Sequence, residues 1–446
     1  MWQNTVQLNV SQELKTNANN RSRGIRVNMA IIKVDKIEKQ KNRISVFYNV
    51  SDDIKQYFNT NEECFYAEYS VDIQSVPDSI AVIPFVANVL PIVWLTDATL
   101  ELNELDKDFY ESIPCFKHGY KLITPQFNWK GYLSVNRIVN NTHNVKRDAV
   151  GSLFSGGVDA FATLIAHVAE KPILITLRGS DVKLSDIDGW KVVENHVETT
   201  VAEFGLPKPV YITSNFRCII NEGVLDGLVR KANDGYWHGF QHGIGINSHT
   251  APIAYLYDLK TVYMASSFTV DKCSRIASDP AIDSLVRFCG TNVWHDQYHL
   301  DRNGKVALIT DYCSDKKISV VLRVCWQSLG GHNCCECEKC IRTIFNILAN
   351  NKNPKDYGFN YTEAQERNME SVVTRDLLKH PHRRLEWNSI KAKIIKNNLL
   401  KDNERLNWIY TIDVNKTLPL STRAVSFAKR IVKSGLYRAK KLLNSK

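Results

Sequence analysis

The pattern of apolar and polar positions changes character near residue 147. Before it, short alternating runs dominate. RISVFYNV (43–50), CFYAEYSV (64–71), IAVIPFV (80–86) and YLSVNRIV (132–139) read as strands separated by polar turns. The uncharged run SIAVIPFVANVLPIVWL (79–95) is short for a bilayer and is interrupted by Pro84, Asn88 and Pro91. Buried strands are expected there rather than a membrane span. Helical spacing is sparse before ELDKDFYESI (104–113). Residues 1–147 carry no glycine-rich phosphate loop and no metal spacing, and are expected to form a β-rich gating or interaction domain.

From Asp148 the rhythm becomes strand, helix, strand. AVGSLF (149–154), ILITL (173–177), PVYITSNF (209–216) and TVYMASS (261–267) are strand-like. Helical segments separate them at 158–167, 188–205, 219–232 and 246–258. Such alternation predicts an α/β fold, a doubly wound parallel sheet with helices on both faces, over 148–350. Ile341, Ile344, Phe345 and Leu348 share one helical face, and residues 351–446 read as a basic helical region.

Composition narrows the class. A chain of 446 residues with 44% hydrophobic and 23% charged residues is that of an ordinary globular protein with room for two or three domains. The start, MWQNTVQLNVSQELK, has no apolar core of a secretory signal, so a cytoplasmic location is expected. The net charge of +10 is uneven: Ser421 to Lys446 holds eight Lys or Arg and no acid, spaced among Val425, Phe427, Ile431, Val432, Leu436, Leu442 and Leu443. This reads as a basic amphipathic helix, either docked by its apolar stripe or binding nucleic acid or an anionic membrane surface.

Candidate chemistry gathers in two places. In LFSGGVDAFATLIAH (153–167) an apolar run breaks at Ser155, Gly156 and Gly157 and turns helical at once. Glycines let the backbone approach an anion, and the free N–H groups of the first helical turn add donors. Asp159 suits the helix N-terminus and could hold a divalent cation between phosphates. On its own, such a turn also serves plain strand-to-helix connections. No Walker Gly-Lys-Ser/Thr and no GxGxxG are present here.

The second place is CWQSLGGHNCCECEKC (325–340), which holds five of the eleven cysteines. Cys325, Cys334, Cys337 and Cys340 have the spacing C-x8-C-x2-C-x2-C. Four thiolates so spaced predict a closed tetrahedral zinc site with a structural role, although spacing alone also admits an iron–sulfur cluster or a redox thiol pair. Cys335 rivals Cys334 as a ligand, and His332 is an outside candidate.

Strand–SGGVD–helix resembles the SGGxDS signature of the PP-loop, or N-type ATP pyrophosphatase, superfamily. Ser155, Gly156, Gly157 and Asp159 match it, and Ala160 stands where the family has its closing Ser. The downstream cysteine spacing resembles that of the 7-cyano-7-deazaguanine synthase family. Together the two motifs cover residues 148–348, and the flanking regions have no counterpart in that compact enzyme. The resemblance implies a PP-loop, HUP-like sheet, ATP with Mg²⁺ and Zn²⁺ as cofactors, and cleavage of ATP to AMP and pyrophosphate. It further implies activation of a small-molecule carboxylate, such as a 7-deazaguanine, for amide or nitrile formation.

In that reading Ser155 and Asp159 are catalytic, while Ser155, Gly156, Gly157, Asp159 and Ala160 bind the nucleotide. Substrate candidates lie on GFQHGIGINSHT (239–250) and MASSFTVDKCSRIASDPAID (264–283): His242, Ser267, Asp271 and Asp279. Each has an ordinary reading as a capping or surface residue. Cys273, near this pocket, reads as a buried small hydrophobe. The alternatives are a tRNA-modifying PP-loop enzyme that uses the basic tail, or a catalytically degenerate nucleotide-binding scaffold of a bacterial defence or modification system. A partner protein at the N-terminal region and a homo-oligomer are the expected assemblies.

Overall fold

The computed structural model describes residues 30–269, 276–325 and 331–417. The candidates Asp271 and Cys273 and the basic segment 421–446 lie outside the described residues. The chain forms two compact units. The first comprises residues up to Asn333 together with Asp356–Gly358, and the second comprises Cys334–Lys355 and the residues from Phe359 onward.

The first unit is α/β and is built on one sheet of eleven strands. In chain order these are β1 (Ile31–Lys39), β2 (Arg43–Val50), β3 (Phe65–Tyr69), β4 (Thr99–Asp106), β5 (Tyr132–Val139), β6 (Val150–Leu153), β7 (Ile173–Arg178), β8 (Val210–Ser214), β9 (Thr261–Ala265), β10 (Arg287–Phe288) and β11 (Thr291–Asp296). Their spatial order is β10-β11-β9-β6-β7-β8-β3-β2-β1-β4-β5. Neighbours from β11 to β8 run parallel. The β10–β11, β8–β3, β3–β2 and β2–β1 pairs are antiparallel, so the sheet is mixed. The strands before residue 147 are therefore not a separate layer. Ala67 of β3 pairs with Ser214 of β8, and the sheet continues across residue 147 without a break between units.

The run 79–95 corrects the expectation of buried strands: it is helical at Asp78–Ala81 and Ile83–Thr96. Twelve residues from Ile83 to Trp94 are buried on every side of that helix. An all-apolar helix has no polar face, so its sequence has no 3.6-residue rhythm to set it apart from a buried strand. Pro84 sits in the first turn, where its missing N–H costs nothing. Asn88 is tolerated because its amide donates to the Pro84 and Gly245 carbonyls at 2.8 and 3.3 Å and accepts from Gln241 at 2.8 Å. A second helix, Lys107–Ile123, is capped by the buried Asp106, which accepts from Phe109 N at 3.0 Å. The N-terminal half thus has as much helix as strand around it.

The parallel block gives the site its place. β6 lies between β7 and β9, so chain connections leave it in one direction and return on its other side. In open α/β sheets that reversal opens a crevice at the carboxyl ends of the strands. The Val158–Ala166 helix begins there.

The second unit is helical where described: Glu338–Ala349, Glu363–Lys379, Arg384–Lys396 and Trp408–Thr411. Thr362 and Gln365 form a capping box on the second of these. Phe345, Trp387 and Trp408 pack as a ring cluster. The buried Glu338 carboxylate accepts from Trp387 Nε1 and forms ion pairs with Arg342 Nε and Arg383 Nη1, each at 3.0 Å. Among the described residues, no helix is long and apolar enough to cross a membrane.

Candidate functional site

The loop after β6 is shaped by its carbonyls. Phe154 N donates to Ile175 O of β7 at 2.9 Å, and Thr176 Oγ1 donates back to Phe154 O at 2.8 Å. Ser155 is exposed at the turn. Gly156 has φ +74°, the left-handed region that glycine enters without penalty. A Cβ there would lie 2.5 Å from His196 Nε2. Burial, with the Arg323 charge nearby, lowers His196 to about 4, so its ring stays neutral beside the loop. Gly157 caps the Val158–Ala166 helix in extended conformation. Among the described residues, the N–H groups of Ser155, Gly156 and Gly157 meet no protein acceptor.

Asp159, in the first turn, faces two cations. Lys305 Nζ lies 3.1 Å from its Oδ1 and Arg302 Nη1 lies 3.5 Å from its Oδ2. Lys305 is buried, with 1% of its side chain exposed, and also donates to Ser266 O beyond β9. Both bases stand in the first turn of the Arg302–Lys316 helix, which Asp301 caps through Gly304 N at 2.7 Å. Sequence reading missed them. Their signal was only RNGK opening a helix, which is common on solvated faces. Among the described residues, two cations flank this carboxylate beside a helix N-terminus and free N–H groups, a combination that favours an anion.

Ala160 is buried at 3% exposure and packs in the core beneath the loop. A serine at this position would place a hydroxyl where it is dry. Of the substrate candidates, Ser267 is exposed next to the Ser266 carbonyl that holds Lys305. His242 is half-buried and follows a π-helical turn, Trp237–Gln241, with Trp237 edge-on to it at 5.0 Å. Burial lowers the His242 pKa against the opposing charge of Asp181, which lies in the turn after β7 and also acts on Arg323. Asp279 is a cap: its carboxylate accepts from Ala281 N at 2.9 Å and starts the Pro280–Asp283 turn. That is the ordinary reading of Asp279, and its pKa is raised by burial.

The ligand atoms of Cys325, Cys334, Cys337 and Cys340 all lie within 4.8 Å of one another. Cys334 Sγ and Cys340 Sγ are 3.9 Å apart, close to the edge of about 3.8 Å that four Zn–S bonds of about 2.3 Å require. The Cys334 sulfur also accepts from Glu336 N at 3.4 Å and Cys337 N at 3.3 Å, donors that favour a thiolate. The residues present therefore fit zinc. Cys335 takes φ +57° and is buried, and it is Cys334 rather than Cys335 that belongs to the group. His332 does not join the group.

Comparison of the chain with models of known protein families, with curated proteins and with solved structures gave no match in any of the three.

Proposed function

We propose that the first unit binds ATP with its phosphates on the Ser155–Gly157 turn and transfers the adenylyl group to a small-molecule carboxylate. The observation that carries this reading is the junction of unpaired loop N–H groups with Lys305 and Arg302 around Asp159. The strand order β8-β7-β6-β9-β11, all parallel, favours a doubly wound sheet with its switch beside this loop. In the proposed reaction a carboxylate oxygen attacks the α-phosphorus and pyrophosphate leaves, giving an acyl-adenylate. Ammonia or an amine then displaces AMP and forms the amide; with ammonia, a second ATP would adenylate the primary amide's oxygen, and loss of AMP and two protons would give a nitrile.

Loop N–H groups and the two bases would hold the pyrophosphate and offset the charge that develops as it leaves. Mg²⁺ binds mainly through substrate phosphates, and Asp159 is the carboxylate at hand to complete its shell. His242 and Ser267 flank the same end of the sheet as substrate-reading candidates. One observation favours a second reading: the buried Ala160 lacks the resemblance's hydroxyl, as in a protein that binds nucleotide without turnover.

Product analysis from α-labelled ATP with Mg²⁺ tests this, run with 7-carboxy-7-deazaguanine and ammonium and separately with a host metabolite extract. AMP with pyrophosphate, lost in Asp159→Ala, is the expected result. ADP as product would sink the adenylation reading. Binding without turnover in either mixture would support the second reading.

A further inference from the structure

Four consecutive carbonyls, Phe154 to Gly157, find donors inside the first unit. Beyond the Thr176 bond, Arg323 supplies three of the donors. Its Nε and Nη2 reach Ser155 O at 3.1 and 2.8 Å, and its backbone N reaches Gly156 O at 2.7 Å. Phe161 N takes Gly157 O at 3.0 Å. With the carbonyls fixed inward, the N–H groups are the polar edge that remains for a ligand. An arginine fork can give two parallel donors to one oxygen, whereas lysine offers a single point charge.

The segment that carries Arg323 lies in no helix or strand and is pinned by side chains and cross-chain bonds. Leu322 N donates to Tyr357 O at 3.0 Å. Asn333 donates to Leu322 O at 2.6 Å and accepts from Val324 N at 3.0 Å and Cys325 N at 3.3 Å. Two residues past Arg323, the Cys325 thiol belongs to the four-cysteine group.

We propose that Arg323 is a positioning residue that sets the anion-binding shape of the loop. Loss of the Arg323 fork then loosens the phosphate loop. The clamp rests on the nucleotide reading only for the identity of the anion.

Amide exchange is measured in the zinc-loaded full chain and in Arg323→Lys and Arg323→Ala. The readouts are the amides of residue 323 and Phe161, which bond to the Gly156 and Gly157 carbonyls. Exchange about tenfold or more faster is expected in every altered sample, with β7 and β8 unchanged, as follows from losing hydrogen bonds to a charged donor. Unchanged exchange in both Arg323 variants overturns the clamp. If Arg323→Ala also exposes β7 and β8, Arg323→Lys decides. A non-hydrolysable ATP analogue is titrated in parallel. Absence of binding to the zinc-loaded wild type sinks the nucleotide reading, while exchange still judges the clamp.

Discussion

Gly156 shows what one side chain would do to the loop. An added Cβ meets both a left-handed φ and the neutral ring of His196 at 2.5 Å. Gly156→Ala is expected to lower stability by about 1–2 kcal/mol, read from the urea midpoint, because neither strain nor clash relaxes without moving the loop. The Asp159 pair predicts an asymmetry. Asp159→Asn leaves the buried Lys305 ammonium facing a neutral amide, whereas Lys305→Met leaves Asp159 with Arg302 and some solvent. Breaking a buried pair costs more when the dry partner is stranded, so Asp159→Asn should destabilise by about 1–3 kcal/mol more than Lys305→Met in the same titration. Equal losses would contradict the geometry. Of these residues, Gly156 and Asp159 were legible as types at a spacing. Lys305 and Arg302 were not, since their partner lies far away in sequence.

At the scale of elements, turns carried more signal than apolar runs. The break at Ser155 and the C-x2-C-x2-C spacing each name a local geometry, and both were readable before any fold. Their finer detail was not: that Cys334 rather than Cys335 joins Cys325, Cys337 and Cys340 is visible only in the fold. Cys334→Ser should therefore drop bound zinc from one ion per chain towards none, and Cys335→Ser should leave it unchanged, by elemental mass spectrometry of purified protein. The opposite outcome would exchange the two residues' roles. The run 79–95 misled for a physical reason. A helix buried on all sides shows neither rhythm, and the prolines that counted against one long spanning helix sit at the first turn and in the interior of this one.

Across the whole first unit, the joint between β3 and β8 was invisible in sequence because it pairs residues about 150 positions apart and leaves no local pattern. That joint is fastened from behind by His249. Its Nε2 lies 3.0 Å from Ser214 Oγ, its Nδ1 lies 2.6 Å from Gly245 O, and Tyr69 OH donates to its carbonyl at 3.2 Å. Full burial lowers its pKa from the ordinary 6.5 to about 4, against the raising effect of the Gly245 bond. Between those values the unfolded chain takes up a proton that the folded one refuses. Stability is fully present above pH 6.5 and falls as pH drops towards 4, by about 3 kcal/mol from this residue. Urea midpoints across that range should fall accordingly, and His249→Gln should flatten the slope.

The central claim is that the Ser155–Gly157 loop holds the phosphates of ATP. Calorimetric titration of ATP into the zinc-loaded full chain, beside Gly156→Ala and Lys305→Met, tests it most directly. Saturable binding at one site, weakened about tenfold or more in each variant, is the predicted result. Absence of binding by the wild type, or equal affinity in all three proteins, would contradict it.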